Sequence, residues 1–586
     1  MAYLLFEASG TTQTISAGTL QLSYTNESEA IILNNAVPQS DEQGLNNNVY
    51  SITLTNTSTI KSYYELSLNN NCTVGNSYTV NGSSVTANVC IPNNYIKVAV
   101  KTNKDEDYKI KNGGNVILKG YLEAKENISF EMIIWLTEET PNDYQGQTET
   151  GTPRNVIYNG NFKIYTRQIL DIDNNLDTSK ANMPELASNM IPVYYDETEE
   201  VWKKADKYNS KEEYRWYSYE SSGEYKGMWA NAVTVTETNR TTYLNATAGT
   251  AIPMDDINTM WVWIPRFNAV TPSNYNGGAK ESPGAIDVTF VNVNETAIDA
   301  FTFGNKELSG FWYAKFETSH STLASSTTSN NLGCTNETCS NANGIIIKPN
   351  VTSLRWNNVS NFFYAARSME QTGNSFGFIS SEVDTHMSKN NEWGAVAYLT
   401  QSIYGRCTNS TTCTEVGMNN NSSYITGYGA PPGSDYNASN GAYNTSLGKD
   451  ASTTKNIYGI YDMSGGAGEY VMGVFADTNG KPRSGWNSSH NSGFTGMLND
   501  GTTYTGIAFP DSKYYNLYTG SSYTGHALTE TKNWYSDGAI FVSTSYPWFE
   551  RGGYYNLSTS AGVFYFYYNN GDSISLNSSR LVISNK

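Results

Sequence analysis

The chain has 586 residues, too many for one ordinary hydrophobic core, so a single small module is excluded and two or three domains are expected. Its 37 Lys and Arg residues are outnumbered by 55 Asp and Glu, and the net charge of −18 argues against nucleic acid and anionic membrane surfaces as partners. With 38% hydrophobic and 13% aromatic residues, the chain is expected to be globular.

The six cysteines form three local pairs, and none has the CxxC spacing of a zinc or redox motif. We predict three disulfides: Cys72 with Cys90, Cys334 with Cys339, and Cys407 with Cys413. The alternative is six unrelated buried thiols. Disulfides persist in oxidising compartments, which predicts an extracellular or bacterial cell-surface protein. No apolar run approaches the roughly 18 residues that span a bilayer, so no membrane insertion is expected.

The first residues, MAYLLFEASGTTQ, lack the basic and apolar regions of a signal peptide, so an exported protein would be in its mature form. The four histidines, His320, His386, His490 and His526, are widely separated and show no metal-ligand spacing. We therefore predict no metal and no cofactor.

Residues 1–170 are predicted to form an antiparallel β-sandwich. Apolar residues alternate with polar ones in four stretches, and the turns are rich in Asn, Gly and Ser. The alternating positions are Leu20, Leu22 and Tyr24; Ile52 and Leu54; Ile96, Val98 and Val100; and Ile128, Phe130, Met132, Ile134 and Leu136. Such half-buried strands favour two stacked sheets.

Residues 171–189 have low hydrophobicity and no periodicity, which predicts a linker. Residues 190–250 are rich in aromatic side chains and are predicted to form a small meander. Residues 251–586 are predicted to form an α+β domain with two main helices, within 355–370 and 383–405. Residues 406–455 are predicted to form a long surface excursion. The whole chain is thus expected to be mainly β with a few helices.

Four ordered blocks of the last domain resemble the formylglycine-generating-enzyme branch of the C-type lectin fold. They are FWYAKFETS (311–319), NEWGAVAYL (391–399), IYGIYDMSGGAGEYVMG (457–473), and FERGGYYN (549–556) followed by SSRLV (578–582). The enzymes of that family use two cysteines in the C-terminal part of the fold, whereas this chain has none after Cys413. The resemblance therefore implies the fold and not the activity. Gly466 and Gly468 replace an Asn and a Trp of the family, which argues against a calcium site there.

The last 40 residues resemble the variable ends of C-type lectin proteins that retroelements diversify on phage tails and bacterial surfaces. The constant frame of those proteins is matched by Arg551, Gly552, Gly553, Ala561, Gly562, Val563, Phe564, Gly571 and Arg580. Between them lie Tyr554, Tyr555, Asn556, Tyr565, Tyr567, Tyr568, Asn569, Asn570, Asp572, Ser573 and Ser575. The resemblance implies that these intervening positions are variable.

Tyrosine presents a large rigid surface that both packs and hydrogen-bonds, and Asn and Ser add adaptable polar contacts. We predict a ligand-binding surface built from Trp548, Tyr554, Tyr555, Asn556, Tyr565, Tyr567, Tyr568, Asn569, Asn570 and Asp572. Alternation along a strand predicts that Phe564 and Phe566 enter the core while Tyr565 and Tyr567 point outward. The alternative is that these tyrosines lie on a half-buried strand without a binding role.

The N-terminal stretches AYLLFEASGTTQTISAGTLQLSY, YSITLTNTST and FEMIIWLTEE resemble the secreted camelysin and biofilm-fibre family, whose jelly-roll, pilin-like sandwiches polymerise by strand donation. The resemblance implies that the strand Tyr3 to Phe6 can complete the sheet of a neighbouring copy. The alternative is that this strand pairs within its own domain.

Three classes of function compete. The first is a non-catalytic extracellular adhesion protein with a lectin-like tip on an assembly module, which binds a glycan or protein of a cell surface. The second is a phage tail receptor-binding protein with the same tip. The third is a formylglycine-generating-type enzyme, for which Glu392 and Glu469 are candidate carboxylates. Carboxylates inside structural blocks are usually satisfied hydrogen-bond acceptors, so catalysis is the least favoured.

Overall fold

The computed structural model describes residues 3–7, 13–17, 20–26, 31–56, 62–80, 82–105, 107–112, 116–123, 125–145, 154–168, 175–436 and 438–586. Side chains of residues 3–26, of residues 112 and 116, and of most of 161–168 lie outside this description. The fold is mainly β with a few helices, as predicted. The chain divides into two compact units, unit 1 at Met1–Asn174 and unit 2 at Asn175–Lys586.

Unit 1 consists of β-strands and one short helix. Its described elements are β1 (Tyr3–Glu7), β2 (Gln13–Ala17), β3 (Leu20–Asn26), β4 (Ile31–Asn34), α1 (Asp41–Gly44), β5 (Val49–Asn56), β6 (Ser62–Asn70), β7 (Ser77–Val80), β8 (Ser83–Thr86), β9 (Val89–Cys90), β10 (Ile96–Thr102), β11 (Lys109–Asn112), β12 (Val116–Leu122), β13 (Asn127–Leu136) and β14 (Val156–Gln168).

Two six-stranded sheets form the sandwich of unit 1. One has the order β1-β14-β6-β12, with β4 and β9 also paired to β14, and the other has the order β11-β10-β13-β5-β3-β2. The core between them takes alternate residues of both sheets, such as Leu66 and Leu68 of β6 and Phe130 and Met132 of β13. The alternation in the sequence therefore identifies the inward faces of β5, β10 and β13 correctly.

The N-terminal strand β1 pairs antiparallel with β14 of its own chain, with Tyr3 opposite Arg167 and Leu5 opposite Tyr165. Tyr3 to Phe6 thus lies at the edge of a sheet in its own unit, which matches the alternative interpretation of this segment. Main-chain pairing of this kind is equally available to a strand from a neighbouring copy.

Unit 2 is larger than unit 1 and contains both β-strands and α-helices. Its described strands and α-helices are β15 (Ile191–Asp196), β16 (Val201–Lys204), β17 (Asn231–Val235), α2 (Glu237–Asn245), β18 (Ala251–Ile252), β19 (Ile257–Pro265), β20 (Phe267–Ala269), β21 (Val288–Phe290), β22 (Thr302–Phe303), β23 (Lys306–Glu307), β24 (Gly310–Ala314), β25 (Ser319–His320), β26 (Cys334–Thr335), β27 (Thr338–Cys339), β28 (Ile345–Ile346), α3 (Val359–Ser368), β29 (Val383–Met387), α4 (Asn390–Thr400), α5 (Ser446–Asp450), β30 (Gly468–Phe475), β31 (Arg483–Asn487), β32 (His490–Asn491), β33 (Gly496–Leu498), β34 (Thr503–Tyr504), β35 (Asn516–Tyr518), β36 (Trp548–Gly552), β37 (Gly562–Asn569), β38 (Asn577–Ser579) and β39 (Leu581–Asn585).

The central sheet of unit 2 has eight strands in the order β18-β16-β15-β17-β19-β24-β39-β29. Residues 190–250, predicted as a small meander that leads into the last domain, instead belong to the central sheet of that domain, because β17 pairs with β19 along Asn231–Val235 and carries β15 and β16 into the same sheet. The aromatic side chains of this region serve the shared core: Trp202, Trp216 and Trp229 are buried in it together with Trp263 and Trp312.

The predicted linker at 171–189 is also wrong for residues 175–189; residues 171–174 lie outside the described part. This segment packs on unit 2 through a few apolar side chains, Ala181, Leu186 and Ala187, and through several polar contacts. Asn175 Nδ2 donates to Tyr217 Oη at 2.8 Å, and Asn182 Nδ2 donates to the Val291 carbonyl at 2.7 Å. Trp263 Nε1 in turn donates to the Asn182 carbonyl at 3.0 Å.

The two helices predicted in the last domain are present as α3 and α4, but the second is shorter than predicted. Asn358 caps α3 by accepting from the Asn361 amide, and Glu392 closes the first turn of α4 by accepting from the Lys389 amide at 2.8 Å. Residues Val383–Met387 form β29 instead, because they pair with β39 along Leu581–Asn585. The local sequence periodicity does not indicate this pairing between β29 and β39.

A second, five-stranded sheet carries the C-terminal segment of unit 2, in the order β35-β30-β36-β37 with β38 also paired to β30. Arg580, which lies between β38 and β39, joins it to the central sheet. Its Nε donates to Glu469 Oε2 of β30 at 2.9 Å, and its Nη1 donates to the Ala314 carbonyl of β24 at 2.9 Å. Both charged side chains are fully buried.

All three predicted disulfides are formed, Cys72–Cys90, Cys334–Cys339 and Cys407–Cys413. Cys72 follows β6 and Cys90 ends β9, so the first disulfide closes the loop that contains the β7–β8 hairpin. Of the helices in the described parts of the chain, none combines the length and apolar character that a membrane span requires.

We predict that replacing Cys72 and Cys90 together by Ser lowers the free energy of unfolding of unit 1 by about 3 kcal/mol, because an 18-residue loop is released in the unfolded chain. Replacing Cys334 and Cys339, only 5 residues apart, should affect unit 2 by about 1 kcal/mol less. Chemical denaturation of both double variants measures this. Equal losses would contradict the loop-length argument.

Candidate functional site

The C-terminal segment, the last 40 residues of the chain, contains the β36–β37 hairpin, and its surface lies on this hairpin. Glu550 of β36 lies opposite Tyr567 of β37, and Tyr470 of β30 lies opposite Glu550 on the other side. Side chains of alternate residues share a face of the sheet, so Tyr565, Tyr567 and Asn569 are placed on the face that carries Glu550.

A buried carboxylate organises this face. Glu550 accepts hydrogen bonds from Tyr554 Oη at 2.7 and 2.8 Å, from Tyr565 Oη at 3.2 Å, from Asn569 Nδ2 at 2.8 Å and from Asn577 Nδ2 at 3.0 Å. We call these five residues the Glu550 hub. The donors come from β37, from β38 and from the turn after β36, so one carboxylate fixes three segments of the backbone.

The directions of the pKa shifts in the hub agree with these hydrogen bonds. Burial raises the pKa of Glu550, while the hydrogen bonds from Tyr554 and its other donors lower it in part. Burial and the nearby Glu550 charge both raise the pKa values of Tyr554 and Tyr565 far above the ordinary phenol value. Both phenols therefore keep their protons at neutral pH and remain donors to the carboxylate.

The hub needs a glycine at position 468. A Cβ atom there would lie 2.5 Å from Cε1 of Tyr554 and 2.9 Å from Oδ1 of Asn577. Gly468 thus leaves the space that the Tyr554 ring occupies.

Four aromatic rings extend from the hub to the surface, and we call them the aromatic strip: Trp486, Tyr546, Tyr567 and Tyr568. Ring centroids are 5.8 Å apart for Trp486 and Tyr546, 4.6 Å for Tyr546 and Tyr568, and 4.7 Å for Tyr568 and Tyr567. Tyr567 also stacks on Tyr565 of the hub at 6.0 Å. Trp486 and Tyr546 are exposed to 39% and 37%. The strip is therefore an accessible surface supported from below by the hub.

Burial separates the two sets of residues in the C-terminal segment. The nine frame residues are all buried: Arg551, Gly552, Gly553, Ala561, Gly562, Val563, Phe564, Gly571 and Arg580. Of the eleven residues between them that the resemblance marks as variable, only Tyr565 is buried. The frame thus coincides with the interior of the fold, whereas nine of the intervening residues are half-buried and Asn556 is exposed.

The predicted binding residues fall into several environments. Tyr567 and Tyr568 are half-buried in the strip, and Tyr554 and Asn569 are held by the hub. Tyr555 contacts Tyr424 and Tyr436 in a second aromatic cluster, with ring centroids 4.9 and 6.3 Å away. Asn556 is exposed, and Asn570 and Asp572 are half-buried.

The prediction that Trp548 and Tyr565 lie at the surface is wrong, since they are 0% and 3% exposed. Trp548 donates its Nε1 hydrogen to the Ser484 carbonyl at 2.9 Å and stacks on Phe494. Tyr565 turns its hydroxyl toward Glu550 and stacks on Tyr567. Strand alternation predicts only the face of a side chain, and here both faces of the sheet are covered.

The two carboxylates considered for catalysis each contact a buried basic side chain. Glu469 is paired with Arg580, and Glu392 lies 3.0 Å from His386 Nε2. Glu392 and Glu469 are both fully buried. Within the described residues, no group of three or more His, Cys, Asp or Glu side chains is arranged to hold a metal ion.

Sequence reasoning missed the carboxylate at the centre of the site and two rings of the strip. Glu550 lies inside the FERGGYYN block, and its position beside a tyrosine-rich strand was the available signal. Trp486 and Tyr546 lie outside the C-terminal segment, on β31 and on the loop before β36. No local pattern links them to β37.

Comparison with known proteins adds no assignment: no family model matches the chain, and no curated protein matches it.

We predict that Glu550→Ala lowers the free energy of unfolding of unit 2 by about 3 kcal/mol or more, because it leaves buried donors of Tyr565 and Asn577 without an acceptor. Glu224→Ala, at an exposed carboxylate, should change it by less than about 0.5 kcal/mol. Chemical denaturation compares the two. A Glu550→Ala variant as stable as Glu224→Ala would show that the hub does not support the fold.

Proposed function

We propose that this chain is a non-catalytic, extracellular adhesion protein. Unit 2 is the tip, a C-type-lectin-like domain with a variable surface, and unit 1 is a pilin-like assembly module. The ligand is a glycan or protein displayed on a cell surface. The observation that carries this proposal is the division of the C-terminal segment into a buried frame and intervening residues that, apart from Tyr565, are at least partly exposed.

The chemistry of the strip supports a binding role. Trp and Tyr are the residues most enriched at binding hot spots, since they bury large areas with little loss of side-chain entropy. The hub holds Tyr565 by a hydrogen bond, and Tyr567 stacks on Tyr565. Rings that are already fixed lose less conformational freedom when a ligand binds, which favours affinity.

The state of the ionisable groups supports a non-catalytic role. All six cysteines of the chain are in disulfides, so the free thiolates on which the related enzymes depend have no counterpart. Glu392 and Glu469 are engaged by His386 and Arg580 in the interior. Three disulfides are also typical of proteins from oxidising compartments.

The edge position of β1 supports the assembly role. A strand that pairs through its main chain at a sheet edge can be replaced by the same strand from another copy, at no loss of hydrogen bonds. In the assembly we propose, β1 of one copy pairs with β14 of the next.

We predict that Tyr568→Ala, Tyr546→Ala and Trp486→Ala each weaken binding of the full chain to target cells by about 30-fold or more, as expected for hot-spot rings. Their melting temperatures should stay close to that of the parent, because these rings lie at the surface. Cell-binding titrations with fluorescent protein, together with thermal melts, measure both properties.

The control is Tyr121→Ala, which removes a 50% exposed tyrosine of unit 1. It should bind like the parent. If the three strip variants also bind like the parent, the binding face lies elsewhere.

Strand donation is tested by pairing Leu5→Cys with Tyr165→Cys, since these residues face each other in the β1–β14 register. Donation between copies should give a ladder of disulfide-linked oligomers on non-reducing gels after mild oxidation. Each single variant serves as a control and should give no ladder. A linked monomer without higher bands would mean that β1 stays within its own chain.

A further inference from the structure

One arginine and three tyrosines of unit 2 lie together outside the strip and the hub. We call Arg355, Tyr424, Tyr436 and Tyr555 the Arg355 cluster. The guanidinium carbon of Arg355 lies 3.9 Å from the centroid of the Tyr424 ring. Tyr424 and Tyr436 both contact the Tyr555 ring. Because Tyr436 is 61% exposed, the cluster places a cation beside aromatic rings that are partly open to solvent.

Arg355 has a donor that the fold leaves unused. Its Nη1 donates to the Ser575 carbonyl at 2.7 Å. Its Nη2 makes no hydrogen bond within the described residues and, unlike the enclosed Nε, is accessible to solvent. A guanidinium presents its N–H groups in a planar fork that suits the oxygens of a carboxylate. Nη2 of Arg355 is therefore available to an acceptor from outside the chain.

The charge of Arg355 has no counter-ion among the described carboxylates. Glu317 acts on it electrostatically, but this carboxyl group is fully buried and accepts from Ser353 Oγ and from the Ala467 amide at 2.9 Å. Burial raises the pKa of Glu317, which favours its uncharged form, and burial lowers the pKa of Arg355. A half-buried cation has lost part of its hydration, and an incoming carboxylate compensates for that loss.

The backbone holds the cluster in place. Trp356 donates its amide hydrogen to the Ile574 carbonyl at 3.0 Å, which fixes the chain next to Arg355. Tyr555 donates its amide hydrogen to the Gly466 carbonyl at 2.9 Å. Side chains that are positioned in this way lose little conformational freedom when a ligand binds.

The composition of the cluster favours a protein partner. Tyrosine and arginine are enriched at protein–protein interfaces, where apolar rings surround a charged contact. Tyr436 offers an exposed ring to the residues that flank a carboxylate, and Asn556, next to Tyr555, is exposed as well. The net charge of −18 repels a strongly acidic partner, so one carboxylate among apolar neighbours suits the cluster better than an acidic run.

We propose that the Arg355 cluster binds a protein partner through one Asp or Glu side chain that is flanked by apolar residues. The carboxylate accepts from Nη2 of Arg355, and its apolar neighbours pack on Tyr436 and Tyr555. This inference rests on the proposed binding role of unit 2, and it assigns a contact surface that shares no residue with the strip.

Isothermal titration calorimetry of the full chain tests this with three probes: acetyl-Leu-Glu-Leu-amide, acetyl-Leu-Gln-Leu-amide and N-acetylneuraminate. The Glu peptide should bind about tenfold more tightly than the Gln peptide, because only the Glu peptide brings a charged acceptor to Arg355. Equal binding of the two peptides, or binding of neither, would overturn the proposal. Binding of N-acetylneuraminate as tight as that of the Glu peptide would assign the cluster to acidic glycans and overturn the protein partner.

Variants locate the contact. Arg355→Gln should bind the two peptides alike, because it removes the charged donor. Tyr436→Ala, at an exposed ring, should weaken both peptides by a similar factor of about threefold or more and keep the preference for Glu. Lys532→Gln, at an exposed lysine of unit 2 outside the cluster, should bind both peptides like the parent.

Thermal melts check that the variants fold. A folded Arg355→Gln variant that still prefers the Glu peptide would overturn the proposal, and if this variant does not fold, parent-like binding by Tyr436→Ala would overturn it. The outcome is separable from that of the strip. Peptides that bind alike while Trp486→Ala weakens cell binding would overturn this inference alone, whereas a Glu preference with strip variants that bind cells like the parent would overturn only the role of the strip.

Discussion

A carboxylate that is excluded from water must be surrounded by hydrogen-bond donors, and Glu550 imposes this requirement on the whole C-terminal surface. Its donors come from three successive segments that follow it within 27 residues, Tyr554 after β36, Tyr565 and Asn569 on β37, and Asn577 on β38. The position of the aromatic strip depends on the position of these donors, because Tyr567 stacks on Tyr565. The hydrogen bonds of the buried hub thus fix the position of this surface, and the outermost rings of the strip face solvent.

The two arginines of the frame show the same constraint with the opposite charge. Arg580 is balanced by Glu469 and reaches the Ala314 carbonyl, so it holds the two sheets of unit 2 together. Arg551 is held by Asn390 Oδ1 at 3.0 Å and by the Ala527 carbonyl at 2.9 Å, and burial lowers its pKa to about 10. Both are buried polar anchors, which explains why charged residues occur in a frame that otherwise consists of small and apolar ones.

Local patterns predict what depends on one strand at a time. Alternation identifies the inward residues of β5, β10 and β13, and paired spacing identifies the three disulfides. The errors arise where contact with another segment of the chain decides the outcome. Tyr565 is buried because Glu550 takes its hydroxyl, residues 383–387 form a strand because β39 pairs with them, and residues 190–250 join a sheet whose other strands lie further along the chain. Trp486 joins the strip for the same reason, since its neighbour Tyr546 is 60 residues away.

The place of β39 in the central sheet affects how unit 2 reaches its native state. This strand pairs with β24, about 270 residues earlier, and with β29, about 200 residues earlier. The central sheet therefore stays incomplete until almost the whole unit has been synthesised, and its last pairings close very long loops. Topologies with such a high contact order fold slowly, and strands without partners are exposed to aggregation in the meantime. Substitutions in residues 554–575, which lie between β36 and β39, act on the stretch that must close last, so they affect the yield of folded protein as well as the composition of the surface.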